Sequence, residues 1–403
     1  MDTGRIGRRI AYWRDRRGFT QSDFGRLMGQ TKRWVQDLEG GKRQADPRLS
    51  VLMRAAEVLR IPLGQLLTDE PSSAASATAP PIEATPVIDV LYRAVDEGPV
   101  PPQAELRRRL TYCCEAFQAC HYGALGRELP TLMMSAQRAA SAAGPNATEA
   151  QALLSRVLQL VASFLHKYGA ATAVQAAVVA DRALAAAEQS GDPVTIGAAS
   201  RRVAKSLAYQ GRPGAAVDFA LSSAQRLRQD LVGAGPLGLS TLGMLYLNAA
   251  IAASAQERST QAVRKAERHI DEAAEVADQQ GADLNEDWTA FGPTNVTLHR
   301  VDVLARFEDG WSALEAAGCL SSEAMGNLTR ERHALHLITM ARAQLLTRRK
   351  GDAAKSLVEA AKLAPEEVHG RQSTIDLVKD VVGATPVPSG ELRALAEACG
   401  LRA

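Results

Sequence analysis

Aromatic residues make up only 4% of this 403-residue chain, too few for a β-sandwich or barrel, whose strands draw on aromatic and β-branched side chains. Cysteine is scarce as well. The five present, Cys113, Cys114, Cys120, Cys319 and Cys399, are odd in number and show no paired C-x-x-C spacing, which speaks against a disulfide framework. With no signal-peptide pattern at the start, a reducing cytoplasm is the expected compartment. A P-loop, a G-x-S-x-G elbow, an H-E-x-x-H pair and a Rossmann glycine pattern are all missing. No enzyme activity, cofactor or metal is therefore expected.

Net charge is small, +2, yet it is unevenly placed. Residues 1–60 hold 14 Lys+Arg against 7 Asp+Glu, leaving 33 against 38 in the rest. A basic head on a mildly acidic body points to a polyanionic partner at the N-terminus. Apolar residues reach 46%, with alanine prominent, which favours closely packed helices. The length implies two or three domains. Between Asp230 and Glu257 no residue is charged, but Gly233, Gly235, Pro236, Gly238, Gly243 and Asn248 interrupt the stretch. A helix buried on most sides fits it better than a membrane span.

In the head, the periodicity predicts a helix over 5–17 with Ile6, Ile10 and Trp13 on one face, ended by Gly18. Thr20-Gln21-Ser22-Asp23 reads as a capping box opening a second helix with Phe24, Leu27 and Met28 on its apolar side. Gly29 permits a sharp turn into a third helix, 31–39. There Trp34, Val35 and Leu38 face inward, with Lys32, Arg33, Gln36 and Asp37 outside. Asp46-Pro47 starts a fourth helix, and Pro62 opens a short fifth ending near Leu67.

Five short helices with a glycine turn between the second and third are the layout of a helix-turn-helix domain. Thr20-Gln21, Gly29, Val35…Leu38-Glu39-x-Gly41 and Lys42-Arg43 resemble the XRE family of phage-repressor-type DNA-binding domains over residues 5–68. Trp34 departs from that pattern, standing where the family usually has a smaller residue. The resemblance implies that Gln21 meets a phosphate and that Thr31, Lys32, Arg33, Gln36 and Asp37 face the major groove. Lys or Arg there bonds guanine O6 and N7, and Asp37 accepts from a cytosine amine. Lys42 and Arg43 are placed for phosphates.

Residues 69–86, rich in Pro, Ser, Ala and Thr, read as a flexible linker. A short apolar helix over 87–95 and a proline cluster at Pro99–Pro102 follow. From Gln103 onward the pattern is helical, with short turns such as Gly191-Asp192-Pro193 and Gly211-Arg212-Pro213. Alanine-rich segments recur after Gly169 and Gly211, 42 residues apart, and Gly310 and Gly351 stand 41 apart. Small residues at helical spacing let stacked helices approach closely. Gly351-Asp-Ala-Ala…Leu357…Ala360-Ala361…Pro365 resembles the second helix of a tetratricopeptide repeat. The expected fold is thus all-α, a five-helix head (1–68) joined to a TPR-like α-solenoid (87–403).

Phe291-Gly292-Pro293-Thr294-Asn295-Val296-x-x-His299-Arg300 is similar to the C-terminal regions of XRE regulators with TPR-like bodies, common in bacteria with GC-rich genomes. That resemblance implies a body that senses a signal or partner. Asn295, His299 and Asp302 share one helical face, and Arg330, Arg332, His333 and His336 form a second polar set. Asn248 and Asn295 can each hold a peptide backbone through an amide that both donates and accepts. Asn248, Asn295, His299, Arg332 and His336 are accordingly the candidate ligand residues. The same groups are also able to satisfy helix ends or to pair with acids such as Asp287 and Glu331. Cys113, Cys114 and Cys120, on one predicted helix beside His121, fit small core residues better than a metal or redox site.

The expectation is a sequence-specific regulator of transcription that binds double-stranded DNA, works as a homodimer on the nucleoid, and answers to a peptide or small-molecule effector. A DNA-tethered protein-interaction scaffold with no small ligand is the alternative, and an enzymatic body carrying a DNA-binding head is a further one that no motif here favours.

Overall fold

The computed structural model describes residues 4–40, 49–59, 61, 63, 66, 81–93, 98–144 and 147–401. Among them the fold is all-α, and the one β-like feature is an isolated bridge between Leu284 and Phe291. The chain divides into two compact units, Met1–Ala79 and Pro80–Ala403.

The first unit holds α1 (Gly4–Arg16), α2 (Gln21–Leu27), α3 (Lys32–Glu39) and α4 (Leu49–Leu59). The capping box opens α2 as expected: the Asp23 amide donates to Thr20 Oγ1 at 3.1 Å, and the Thr20 amide donates to Asp23 Oδ2 at 3.3 Å. Gly29 lies in the left-handed region at φ 69°, costly for a side chain, and the Gln30 amide reaches back to the Gly25 carbonyl at 2.8 Å. Thr31 does not start α3 but caps it, accepting from the Trp34 amide at 3.2 Å, so the helix begins at Lys32. Ile6, Ile10, Phe24, Val35, Leu38, Leu52, Leu59 and Leu66 form one core, with Trp13 and Trp34 packed at its margin. The Asp46-Pro47 start and most of the expected fifth helix lie outside the described residues.

The second unit begins earlier than the linker reading implies. Ala84 is fully buried and α5 runs Thr85–Leu91 with Pro86 in its first turn, because a proline already fixed at helical φ costs nothing there. There follow α6 (Gln103–Gln118), α7 (Tyr122–Ala142), α8 (Ala147–Leu165), a 3-10 turn (His166–Thr172), α9 (Ala173–Ser190), α10 (Pro193–Tyr209), α11 (Pro213–Gly233), α12 (Gly235–Ser254) and α13 (Thr260–Gln280). After a second 3-10 turn (Glu286–Trp288) come α14 (Pro293–Arg306), α15 (Gly310–Gly318), α16 (Ser322–Gly326), α17 (Arg330–Leu346), α18 (Lys350–Leu363), α19 (Pro365–His369), α20 (Gln372–Ala384) and α21 (Gly390–Ala398). Asp192 caps α10, accepting from the Thr195 amide at 2.9 Å. Cys120 lies past the end of α6, in a left-handed turn at φ 61°, so the three cysteines do not share one helix.

Most helices pack chiefly on their sequence neighbours. The uncharged stretch forms α12, and 83% of its most apolar window is buried, as in a core helix. Ala147–Ser190 is also long and apolar, but the His166–Thr172 turn breaks it. Within α12, Gly243 lets the Phe291 ring lie against the backbone, where an added Cβ would stand 1.9 Å from the ring's Cζ.

Gly243→Ala should therefore destabilise the body by about 1–3 kcal/mol through overpacking. Gly214→Ala in α11, whose new methyl group meets nothing within 4 Å, should be neutral or slightly stabilising. Denaturant unfolding of the two variants checks both, and equal stabilities would refute the close approach.

Candidate functional site

Two regions carry site chemistry, one in each unit. In the first, Val35 and Leu38 bury the inner face of α3, which leaves Lys32, Arg33 and Gln36 exposed on the other side with Asp37 half-buried. Thr31, at the head of that face, is exposed too. Lys42 and Arg43 lie outside the described residues. The Gln21 amide donates to Glu39 Oε2 at 2.9 Å. That bond belongs to a network that sequence reasoning missed. Arg14 of α1 grips Glu39 of α3 with two nitrogens, Nε to Oε1 at 2.6 Å and a terminal nitrogen to Oε2 at 3.1 Å, and also donates to the Phe19 carbonyl at 2.8 Å. Both side chains are 8% exposed. The hydrogen bond to Glu39 leads in raising the Arg14 pKa above its ordinary value. Arg14 stands four residues past Ile10 and eight past Ile6, on the apolar stripe of α1, and that misplaced charge was the available signal. Two other α1-region arginines also turn to the backbone: Arg9 donates to the Leu66 carbonyl and Arg17 to the Leu59 carbonyl.

In the second unit, basic side chains converge from helices far apart in sequence. Arg156 projects from α8; Arg201, Arg202 and Lys205 from α10; Arg306 from α14; Arg332 from α17; Arg371 precedes α20; and Lys167 sits in the first 3-10 turn. Four acids stand among them, and each is committed. Asp287 pairs with Arg156, Asp302 with Arg306 at 3.0 Å, Glu331 with Lys167, and Glu367 with Lys167 at 2.6 Å and Arg371 at 2.7 Å. Among the described residues no carboxylate touches Arg201, Arg202, Lys205 or Arg332. Arg202 Nε makes a long bond to the Gln159 carbonyl at 3.4 Å, whereas Arg201, 9% exposed, has a buried Nε with no partner. Burial and neighbouring cations push the pKa values of Arg201 and Lys205 well below their ordinary range, and that of Arg202 down as well.

A cavity of about 60 Å³ opens beside this cluster. Leu110, Phe117, Leu160 and Trp288 give it apolar walls, and Arg202, Gln159 and Ser163 give it polar ones. The turn that brings Asp287 and Trp288 there holds both, and Ala290, at left-handed φ of 49–53°. Such strain persists only where the surroundings fix it, here through the Asp287–Arg156 pair and the Ala290 amide donating to Asn285 Oδ1 at 3.1 Å.

The five expected ligand residues fare differently. His299 and Arg332 join the basic cluster: burial first, then the Arg332 charge, lower the His299 pKa to about 4, while its Nδ1 bonds the Asn295 carbonyl at 2.8 Å. Asn295 is 2% exposed and its Oδ1 has no partner. Asn248 donates to the Met244 carbonyl of its own helix at 3.0 Å. His336 is buried, lowered to about 4 by burial and His333. Arg330 follows the structural alternative and bonds the Leu363 and Ala119 carbonyls at helix ends. No group of three or more metal-binding side chains occurs among the described residues. Burial pushes the Cys113 thiol up to about 11 and the Cys120 thiol to about 12, far from reactive thiolates.

No protein-family model matches this chain, nor does any curated protein or solved structure.

Two predictions follow from these geometries. Glu39→Ala takes the two-pronged partner from buried Arg14, leaving it only the exposed Asp15 carboxylate and the Phe19 carbonyl, and should destabilise the head by about 2 kcal/mol. Hydrogen exchange in peptides from residues 4–40 measures this, and unchanged protection would show the pair to be dispensable. His299 is held near 4 when folded and rises to its ordinary 6.5 when unfolded. The unfolded chain therefore takes up the proton first, and this contribution to stability is complete above pH 6.5 and lost as pH falls toward 4. The melting temperature should drop across that window and drop less in His299→Gln; identical profiles would refute the assignment.

Proposed function

We infer that this chain is a transcriptional regulator that binds double-stranded DNA through its first unit and senses a signal or partner through its second. One observation carries the reading: two short helices joined by a tight glycine turn, the second capped by Thr31, in which α3 turns Val35 and Leu38 to the core and presents Lys32, Arg33 and Gln36 to solvent. A major groove accepts one helix, and amino-terminal residues of such a helix reach base edges. The Arg14–Glu39–Gln21 network supports it by fixing the angle of α3 against α1 and α2. The basic balance of residues 1–60 supplies the phosphate attraction.

Regulators of this design act as dimers on half-sites about one helical turn apart. In this reading the second unit carries the dimer contact, and its ligand alters how the two heads are spaced. A ligand does that only if it binds one arrangement better than the other.

Fluorescence anisotropy of the full chain on DNA from its own upstream region tests the proposal. Wild type should bind with log K falling by about 0.9 per phosphate contact for each decade of salt. Lys32→Ala/Arg33→Ala should lose its preference for that DNA over scrambled DNA by about tenfold or more. A double variant that keeps the wild-type preference would remove α3 as the reading element.

A further inference from the structure

Folding brings eight bases and four acids into one neighbourhood of the body, and the four acids are all held by Arg156, Lys167, Arg306 and Arg371. Arg201, Arg202, Lys205 and Arg332 remain without a carboxylate among the described residues. A guanidinium does not shed its proton under ordinary conditions, so its charge must be met by water, dipoles or an anion. At Arg201 the protein meets it poorly, because Nε is buried and bonded to nothing.

We propose that this basic cluster is the binding site of a small multivalent oxyanion, a phosphate ester or a polycarboxylate, held by Arg201, Arg202, Lys205 and Arg332. The proposal rests on reading the second unit as a sensor, and it names the chemistry sensed. Three planar guanidinium forks and an ammonium match oxygens spread over a phosphate or several carboxylates, which a spherical chloride does not. The adjoining cavity of about 60 Å³ meets the cluster at Arg202 and has room for part of such an anion, and its Leu110, Phe117, Leu160 and Trp288 walls suit a carbon portion. Asp287 on its rim is neutralised by Arg156 and does not repel the ligand outright. Lys205, Arg202 and Arg332 are only half-buried, so an entering anion reaches them without unfolding the body.

The experiment is thermal unfolding and calorimetric titration of the full chain, without DNA, against inorganic phosphate, pyrophosphate and citrate. Sodium chloride at equal ionic strength serves as the reference. At least one of the three should raise the melting temperature by about 4 °C or more beyond chloride, since a ligand that binds only the folded chain stabilises it by mass action. Pyrophosphate acting without citrate marks a phosphate ester; the reverse marks a polycarboxylate. Arg201→Gln and Lys205→Gln should each weaken that binding at least tenfold. Their melting temperatures without ligand should match or exceed the wild type's, because each removes a cation that has no acid. If none of the three anions exceeds chloride, or if both variants respond as wild type does, the proposal is wrong. These readouts are independent of DNA. Anion binding by a chain that ignores its upstream DNA would overturn the regulator alone, and sequence-specific DNA binding with no anion response would overturn the anion site alone.

Discussion

Lys167 is the point on which the body depends. Its ammonium is 4% exposed and meets Glu331 and Glu367, which arrive 164 and 200 residues later in the chain. Glu367 is fully buried and also takes the Tyr122 hydroxyl proton as a hydrogen bond and the Arg371 charge. Lys167 lies over the Phe117 ring, 4.6 Å from its centroid, and 5.2 Å from that of Tyr122. Charges so far from water are costly unless every one is paired, so the network tolerates only one arrangement of the early helices against the late ones. The apolar packing agrees with it. The core built from residues 84–199 also takes in Ala334 and Ala364, and Gln118 of α6 bonds Asn285 and the Trp288 carbonyl. The burial of Arg201 and the crowding of Arg202, Lys205 and Arg332 follow from that closure.

The head uses the same device on a smaller scale. Arg14, Glu39 and Gln21 tie three short helices, none of which would be stable alone in water. Fixing α3 by a buried two-pronged pair leaves its outer face free for other work. The difference between the two networks lies in the balance of charge. In the head the core pair is matched, whereas in the body's cluster the bases outnumber the acids, and four of them are left facing no carboxylate among the described residues. A matched network holds a shape. An unmatched one holds a shape at some electrostatic cost, and binding an anion lowers that cost.

Much was legible in the sequence because it is local. The capping box at Thr20, the turn at Gly29, the Asp192 cap and the burial of the uncharged α12 each depend on residues within one or two turns, and each is found in the structure. Boundaries were less secure. Pro86 looked like linker because composition cannot register that Ala84 is buried by a helix elsewhere in the chain. Arg14 was readable in principle, as a charge on an apolar stripe, but its partner lies 25 residues away.

The sequence by itself determined most helices and caps, the all-α class and most of the inward and outward faces of the head, though Leu27, expected inside, is exposed, because those are set by propensity and periodicity over a few residues. Tertiary structure alone decided which charges are paired over long range. Arg201, Arg202 and Lys205 look like an ordinary basic stretch of a helix, and Asp287, Asp302, Glu331 and Glu367 like ordinary surface acids. Asp302–Arg306 and Glu367–Arg371 are local pairs four residues apart, but only tertiary packing joins Asp287 to Arg156 and both Glu331 and Glu367 to Lys167, and leaves the other bases over. Coulomb energy depends on distance in space, and a one-dimensional sequence carries no such distance between residues 167 and 331.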